Sequence, residues 1–298
     1  MKTVALLGPT ASGKTDLAID LASRYNAAIL SLDSLAIYRE IDIASAKPTP
    51  EERGHIPHFG IDVIYPNEHF SVSTFIGLYR EAQAYCSAHG MPLIIVGGTS
   101  FYLKMLMEGM SEIPNISAET KAYVAKILSD HSKAYEMLYR IDPEFFKTVS
   151  RGDRYRIEKG LQLYYETGMA PTHYFLEHPP KPILQEVALF EIGIERTLLQ
   201  KRIEKRTMAM IDMGLVDEVA MLEKKYGREP NPMKAIGIAE VLDYFDGRLS
   251  FDEMRDRIII HTRQLAKRQT TFNTTQFPEH IKLAADRLSG EISKVFER

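Results

Sequence analysis

The sequence predicts an α/β protein in which helices flank a parallel sheet and an all-helical segment interrupts the sheet-forming part of the chain. Short apolar runs that end at glycine or polar residues are typical of strands buried on both faces of a parallel sheet. Three such runs occur early, at residues 4–7, 27–32 and 93–96. Amphipathic stretches of helical length separate them, which is the alternation that builds βαβ units. Strand patterns cease between about residue 108 and residue 185.

The length and composition fit a globular protein of two parts. The chain has 298 residues and a mass of 33.9 kDa, enough for two domains of about 150 residues each. We predict a core made of residues 1–110 and 186–298, with a helical insertion at residues 111–185. The content of 45% hydrophobic and 26% charged residues excludes a disordered or fibrous chain.

The helices of the core follow from the spacing of their apolar residues. Residues 14–25 place Leu17, Ala18 and Leu21 on one face, as in an amphipathic helix. The next predicted helix, 73–89, has Ser73 as its N-cap and Gly90 as its stop. After the insertion, residues 186–194 resume a strand pattern, and helical stretches follow near residues 196–225, 234–246 and 251–270.

The insertion has the pattern of helices from residue 117 to about residue 177. Short breaks occur at residues 142–143, 150–152 and 167–168. The proline-rich segment 178–182 predicts a stiff connection back to the core.

Charge and cysteine content narrow the classes of function. The 37 Lys and Arg residues nearly balance the 40 Asp and Glu residues, giving a net charge of -3, so the charge of the whole molecule does not indicate a polyanionic partner. Cys86 is the only cysteine, which excludes an internal disulfide and a cysteine metal cluster. No apolar run approaches the roughly 18 residues of a membrane span, and the first residues lack the apolar region of a signal peptide. We expect a cytoplasmic monomer with no membrane partner.

A phosphate loop lies between the first predicted strand and the first predicted helix. Residues 8–15 match G-x-x-x-x-G-K-[ST], in which the glycines let backbone N–H groups surround an anion and the helix N-terminus adds positive charge. Lys14 supplies a full charge, and the Thr15 hydroxyl is a ligand for Mg²⁺. The context disfavours a glycine-rich turn without a ligand and predicts a core like that of the P-loop NTPases. The expected phosphate-binding residues are Gly8, Pro9, Thr10, Ala11, Ser12, Gly13, Lys14 and Thr15.

The acid that many nucleotide hydrolases use to hold Mg²⁺ is missing. It usually ends an apolar strand, but the run at 93–96 ends in Gly97-Gly98-Thr99. The nearest acid at a predicted strand end is Asp33, and the carboxyl ends of parallel strands line the ligand crevice. An acid beside a bound anion holds a metal or accepts a proton; alternatively, Asp33 is the N-cap of a helix that begins near Leu35.

Several motifs, in this order and spacing, resemble the tRNA dimethylallyltransferases, also called tRNA isopentenyltransferases. The resemblance covers nearly the whole chain. Its motifs are the phosphate loop, Asp33-Ser34-Leu35-Ala36-Ile37-Tyr38, Ala46-Lys47-Pro48, Pro57-His58, Ile61-Asp62, residues 97–104, residues 153–157, Thr167-Gly168, Arg202-Ile203 with Arg206, Met210, Gly214-Leu215, Glu218-Val219, Ala235-Ile236-Gly237 with Glu240, and residues 262–269.

The resemblance implies transfer of a dimethylallyl group from dimethylallyl diphosphate to N6 of adenine 37, beside the anticodon of certain tRNAs. Diphosphate is then the leaving group, which explains the missing acid. The implied catalytic residues are Lys14, Thr15 with Mg²⁺, Asp33 as the proton acceptor, and Arg202 or Arg206 on the diphosphate, with Arg202 preferred. The implied contacts with the anticodon stem-loop are Asp33, Ser34, Leu35, Ala36, Thr99, Lys121, Tyr155, Arg156, Ile157, Glu158 and Lys159.

This sequence departs from the family in several places. Ala36 stands where the family often has a glutamine that can read the edge of the target adenine, and the alanine side chain cannot make that contact. With one cysteine, the chain has no Cys/His finger of the eukaryotic relatives, which implies the bacterial type.

Basic residues gather locally despite the net negative charge. Residues 147–159 carry five basic and two acidic side chains, and residues 255–268 carry Arg255, Arg257, Arg263, Lys267 and Arg268. Neutralisation of phosphates by basic groups is the usual basis of RNA affinity, so we expect tRNA at both patches. A solvated helix face is the alternative for any single charge.

Two other functions compete with prenyl transfer. A P-loop kinase of a small metabolite needs an acid on the strand at 93–96, which Gly97-Gly98 does not provide. An RNA-binding switch that senses a nucleotide leaves Asp33 beside the loop without a role.

Overall fold

The structure is a computed structural model that describes residues 1–297. The chain forms two compact units, one from Met1–Lys104 together with the segment that begins at Gln185, and the other from Met105–Leu184. The first boundary falls before the predicted residue 111 because the two ends of the second unit pair with each other. The backbone N–H groups of Ile183 and Leu184 both donate to the carbonyl oxygen of Leu106, at 2.9 Å each.

The first unit contains a six-stranded sheet in which every pair of neighbouring strands is parallel. The order is β3-β2-β4-β1-β5-β6, so the strand that precedes the phosphate loop lies inside the sheet between β4 and β5. The strands are β1 Thr3–Leu7, β2 Ala28–Ser31, β3 His58–Phe59, β4 Leu93–Gly97, β5 Ala188–Ile192 and β6 Ile281–Leu283.

The predicted helices are present, and residues 50–53 and 285–297 form further helices that the sequence pattern did not predict. They are α1 Lys14–Tyr25, α2 Pro50–Arg53, α3 Val72–His89, α4 Ser100–Glu108, α5 Ala118–Ile127, α6 His131–Ile141, α7 Arg154–Thr167, α8 Pro171–Glu177, α9 Arg196–Asp212, α10 Leu215–Tyr226, α11 Ile238–Phe245, α12 Phe251–Gln276 and α13 Ala285–Glu297, with 3₁₀ turns at Glu144–Lys147 and Asn231–Lys234.

Two helix boundaries differ from the prediction for identifiable reasons. Ser71, not Ser73, is the N-cap of α3, because its hydroxyl oxygen accepts the N–H of Thr74 at 3.2 Å. The stretch predicted near 196–225 is two helices, because Gly214 has a φ of +102°, a conformation that an L-residue in a helix does not adopt.

One core cluster of the first unit lies between the sheet and the helices α1 and α13. All five residues of β1 are buried, and Leu21 of α1 and Ile292 of α13 pack in the same cluster. This burial fixes the strand that leads into the phosphate loop.

The second unit is helical, as its sequence pattern predicts. The side chains of Ser117, Asp130 and Asp153 cap α5, α6 and α7 by accepting backbone N–H groups. Its core contains Leu138 of α6 and Ile157 of α7. Of the helices among residues 1–297, none is long and apolar enough to span a membrane.

Candidate functional site

A cavity of about 380 Å³ lies in the first unit, where the strands β1, β2 and β4 end. The phosphate loop follows β1, Asp33 follows β2 and Thr99 follows β4. Since parallel strands end at one edge of a sheet, residues far apart in sequence meet there. The cavity brings together nine of the predicted site residues: Thr10, Lys14, Thr15, Asp33, Ser34, Leu35, Ala36, Thr99 and Arg206.

The phosphate loop has the conformation of an anion cradle. Ala11 and Gly13 adopt positive φ values of 61° and 92°, which turns successive N–H groups toward a common centre. The Ser12 hydroxyl is buried, and no hydrogen-bond partner exists for it within residues 1–297. Such an atom is ready to donate to an oxygen of a bound anion.

Lys14 is a buried cation at the start of α1. Its Nζ donates to the carbonyl oxygen of Pro9 at 3.2 Å. Burial, followed by the positive charge of Arg206, lowers the pKa of Lys14 to about 8, against an opposing effect of the Asp33 carboxylate. Three charged side chains therefore act on one another across the cavity.

Two arginines of α9, one turn apart, contact the phosphate loop. Arg202 Nη1 donates to the carbonyl oxygen of Ser12, and Arg206 Nη1 donates to the Thr10 hydroxyl, both at 3.0 Å. Arg206 lines the cavity and Arg202 does not. Burial lowers the pKa of Arg206, because removal from water disfavours the charged form of the side chain. The geometry therefore favours Arg206 over the predicted Arg202 as the direct contact with a bound diphosphate.

Asp33 shapes the loop that follows β2 and keeps one carboxylate oxygen free. Its Oδ1 accepts the N–H groups of Leu35 at 2.8 Å and Ala36 at 3.2 Å. Residues 34–37 form a turn, so the interpretation of Asp33 as the N-cap of a helix is wrong. No hydrogen bond or ion pair among the described residues engages Oδ2, which leaves that oxygen available in the cavity.

Gln269 of α12 is a contact that the sequence motifs did not assign to the site. Its Oε1 accepts the N–H of Thr10 at 2.8 Å. Its amide nitrogen packs on Gly98, where a Cβ atom would come within 2.3 Å of it, so the glycine is required for this approach. The bond joins residues 259 positions apart, and no local pattern predicts such a pair.

Part of the cavity wall is held by contacts of Lys47 and Glu218. Lys47 is 5% exposed, and its Nζ contacts Asp62 Oδ1 at 2.5 Å and Asp42 Oδ1 at 2.6 Å. Glu218 of α10 accepts the backbone N–H groups of residues 42, 43 and 44 at 2.8–2.9 Å. These contacts fix residues 42–47, which carry the cavity residue Ala44.

The remaining predicted RNA contacts lie in the second unit. Lys121 of α5 and Arg156 and Lys159 of α7 are exposed, and the Tyr155 side chain is 68% exposed. Glu158 is half-buried. Ile157 is fully buried in the core of the unit, so its side chain is unavailable to a ligand.

The fold and this cavity define a class of protein: a P-loop α/β protein with a helical unit inserted after its fourth strand. The phosphate loop faces an aspartate from the end of β2 and an arginine from α9, in place of an acid at the end of β4. Such an arrangement is chemically suited to hold a phosphorylated ligand beside a carboxylate that can accept a proton.

Comparisons with known proteins identify the family. The IPP transferase family pattern matches residues 36–276, and that of the isopentenyl transferases matches residues 1–57. The tRNA dimethylallyltransferase of Sulfurovum sp. (strain NBC37-1) is 53% identical over 289 residues, covering 97% of this chain and 96% of that protein. That of Sulfurimonas denitrificans is 50% identical over 277 residues, with 93% of each chain covered.

A solved structure agrees with these relatives. The tRNA isopentenylpyrophosphate transferase of Bacillus halodurans has a TM-score of 0.73 and 28% identity, covering 99% of this chain and 97% of that chain. The chain therefore belongs to the IPP transferase family.

Proposed function

We propose that this protein is a tRNA dimethylallyltransferase, which transfers the dimethylallyl group of dimethylallyl diphosphate to N6 of adenine 37 in tRNA. The observation that carries the proposal is the single cavity in which Asp33 faces Lys14, Thr15 and Arg206. The relatives with the names given above support the same reaction. A tRNA substrate also agrees with a cytoplasmic location, and we propose that the protein acts as a monomer.

The basic groups of the cavity would hold the diphosphate leaving group. Departure of an allylic diphosphate places negative charge on its oxygens and positive charge on the allyl fragment. Fixed donors stabilise the first charge most in a site that excludes water. Lys14, Arg206 and the N–H groups of the phosphate loop supply these donors.

Magnesium fits the polar end of this cavity. Mg²⁺ retains several waters and is commonly held by one or two protein groups together with phosphate oxygens. No cluster of three His, Cys, Asp or Glu side chains suited to a metal occurs within residues 1–297, so a fully protein-bound ion is not indicated there. The Thr15 hydroxyl, which lines the cavity, would hold the ion, and the ion would neutralise charge on the diphosphate.

Asp33 would accept the proton that the target amine loses. As the C1–O bond breaks, its electron pair leaves with the diphosphate, and the lone pair of N6 forms the new C1–N6 bond. The amine nitrogen then releases one proton, and Oδ2 of Asp33 is the free basic atom in the cavity. Thr99, Ser34, Leu35 and Ala36 line the same space and would contact the nucleotide.

The exposed residues of the second unit would bind the anticodon stem-loop. Arg156, Lys159 and Lys121 would neutralise phosphates. Tyr155 presents an exposed ring on which an unstacked base can pack, and Lys159 Nζ lies 5.6 Å from the centre of that ring.

The test is a product analysis with Mg²⁺, dimethylallyl diphosphate and an anticodon stem-loop that carries adjacent adenines. We expect the RNA mass to increase by one dimethylallyl group without ATP. A stem-loop with guanosine at position 37 is the control and should stay unmodified. ATP-dependent phosphorylation of a small molecule with no alkylation of RNA would instead support the kinase alternative.

A further inference from the structure

The cavity beside the phosphate loop is polar at one end and apolar at the other. Two helices, α9 and α12, build both ends. Arg206 and Gln269 contact Thr10 of the loop, whereas the rest of the helical lining is mainly apolar. The other residues that α9 and α12 contribute are Ile203, Thr207, Met210, Ile258, Thr262 and Leu265.

One face of α9 runs from the loop into the apolar end. Ile203, Thr207 and Met210 are spaced by four and three residues, which places them in one row on a helix. Ile203 is 1% exposed and Met210 is 8% exposed. The Thr207 hydroxyl donates to the carbonyl oxygen of Ile203 at 3.0 Å, so its methyl group is what remains for the cavity. This row therefore offers a ligand no hydrogen-bond donor.

Contacts with the loop and with each other indicate that the two helices run in opposite directions along the cavity. Arg202 and Arg206, in the middle of α9, contact the loop, and so does Gln269 towards the end of α12. An ion pair between Glu204 and Arg263 joins the two helices. In antiparallel helices held at this pair, Met210 comes level with Ile258, and both lie on the side away from the loop.

The spacing of Arg206 and Met210 along α9 is longer than a five-carbon prenyl group and shorter than a ten-carbon one. Met210 follows Arg206 by four residues, which is about 6 Å along a helix axis at about 1.5 Å per residue. With carbon–carbon bonds of about 1.5 Å, the extended four-carbon chain of a dimethylallyl group spans about 4 Å, and the eight-carbon chain of a geranyl group about 9 Å. The first fits this space and the second exceeds it.

We infer that Met210, with Ile258 beside it, is the end wall of a prenyl subsite and limits the transferred group to five carbons. The inference rests on the proposed function, because it concerns the donor of that reaction. The diphosphate lies at Lys14 and Arg206, and the branched end of the prenyl group lies against Ile203, Thr207 and Met210. A longer chain is rejected because it meets the Met210 side chain.

Shortening Met210 tests the inference. For Met210→Ala we expect kcat/KM for geranyl diphosphate, relative to dimethylallyl diphosphate, to rise about tenfold or more, since an apolar pocket discriminates by about 10- to 200-fold per methylene-sized change. Both donors are assayed on the same stem-loop and the same protein preparation. The ratio is therefore independent of any loss of folded protein.

Met208 provides a matched control on the same helix. Its side chain is 44% exposed and it does not line the cavity, so Met208→Ala should leave the ratio unchanged. Ile258→Ala is the second test variant and should shift the ratio in the same direction as Met210→Ala.

The outcomes separate the two proposals. If the parent protein transfers dimethylallyl groups but neither cavity variant changes the donor ratio, the end wall is elsewhere and only the inference is overturned. An equal change in the Met208 variant overturns it as well. If the parent protein transfers no prenyl group to RNA, the proposed function itself fails.

Discussion

At the scale of single residues, Asp33 has two separable roles. One carboxylate oxygen organises the turn at residues 34–37, and the other is free in the cavity. An asparagine keeps an oxygen that can accept the two backbone N–H groups, but its amide is not a base. Asp33→Asn is therefore a sharper variant than Asp33→Ala, which removes both roles.

We expect Asp33→Asn to slow the chemical step on bound RNA by about 10²- to 10⁴-fold, the usual contribution of a general base. Single-turnover prenyl transfer at saturating RNA and dimethylallyl diphosphate measures this step, and the affinity for the stem-loop should not change. A variant that binds RNA poorly but reacts at the parental rate once bound would make Asp33 a binding residue and not the base.

We expect the affinity for diphosphate to depend on pH through the ionisation of Lys14. Its pKa of about 8 in the free protein means that the ammonium form is present below pH 8 and is lost as the pH rises above it. Only the charged form attracts the anion, so the affinity for inorganic diphosphate should be constant below pH 8. Above that pH the affinity should decrease, approaching a loss of about tenfold per pH unit, as expected for a single titrating group.

Calorimetry with inorganic diphosphate and Mg²⁺ between pH 7 and 9.5 measures this dependence. Lys14→Gln, which carries no titrating group at that position, is the control and should bind weakly with no inflection near pH 8. The same inflection in the variant would assign it to another group.

At the scale of elements, α7 carries the exposed basic residues that we propose bind RNA. Arg156 and Lys159 are exposed and pair with Asp153 at 3.4 Å and Glu158 at 3.9 Å, whereas Arg154 donates to the carbonyl oxygen of Leu128 at 2.9 Å and so holds α7 against the end of α5. Charge changes at Arg154 would disturb packing, and the residues to change are Arg156 and Lys159.

The double variant Arg156→Glu, Lys159→Glu should bind the anticodon stem-loop more weakly and with a shallower dependence on salt. Each lost phosphate contact reduces the slope of log K against log salt by about 0.7 for single-stranded RNA, or about 1.4 for the pair. Titrations at several salt concentrations measure the slope. Lys126→Glu, Lys133→Glu makes the same charge change elsewhere in this unit and should keep the parental slope; equal slopes in all three proteins would place the RNA away from α7.

The elements that the sequence predicted are those whose signals are local. Apolar runs indicated β1, β2 and β4, and a motif of eight consecutive residues identified the phosphate loop. In contrast, β3 has two residues and β6 has three, too few to show a pattern. They are strands because they pair with the neighbouring strand at the two edges of the sheet. The contacts of Gln269 and Glu218 join residues far apart in the sequence, so no local pattern predicted them.

At the scale of the whole molecule, the net charge of -3 does not show which basic residues are ion-paired and which are not. Within the patch at 255–268, Arg255 is paired with Asp252 and Asp256, and Arg263 with Glu204. Ion pairs within the part of the chain that the structure describes do not engage Arg257, Lys267 or Arg268. The number of charges can be read from the sequence but their partners cannot, so this second basic patch has fewer unpaired charges than the count indicates.

The bond between Thr10 and Gln269 also bears on how the protein is made. Synthesis proceeds from the N-terminus, so the phosphate loop leaves the ribosome long before β5, α9 and α12 exist. Until then β1 lacks one of its two neighbouring strands, and its apolar side chains have no complete core to enter. Domains fold as units once their distant segments are present. A nascent chain that ends before residue 269 therefore carries the phosphate loop without the hydrogen bond that Thr10 donates to Gln269.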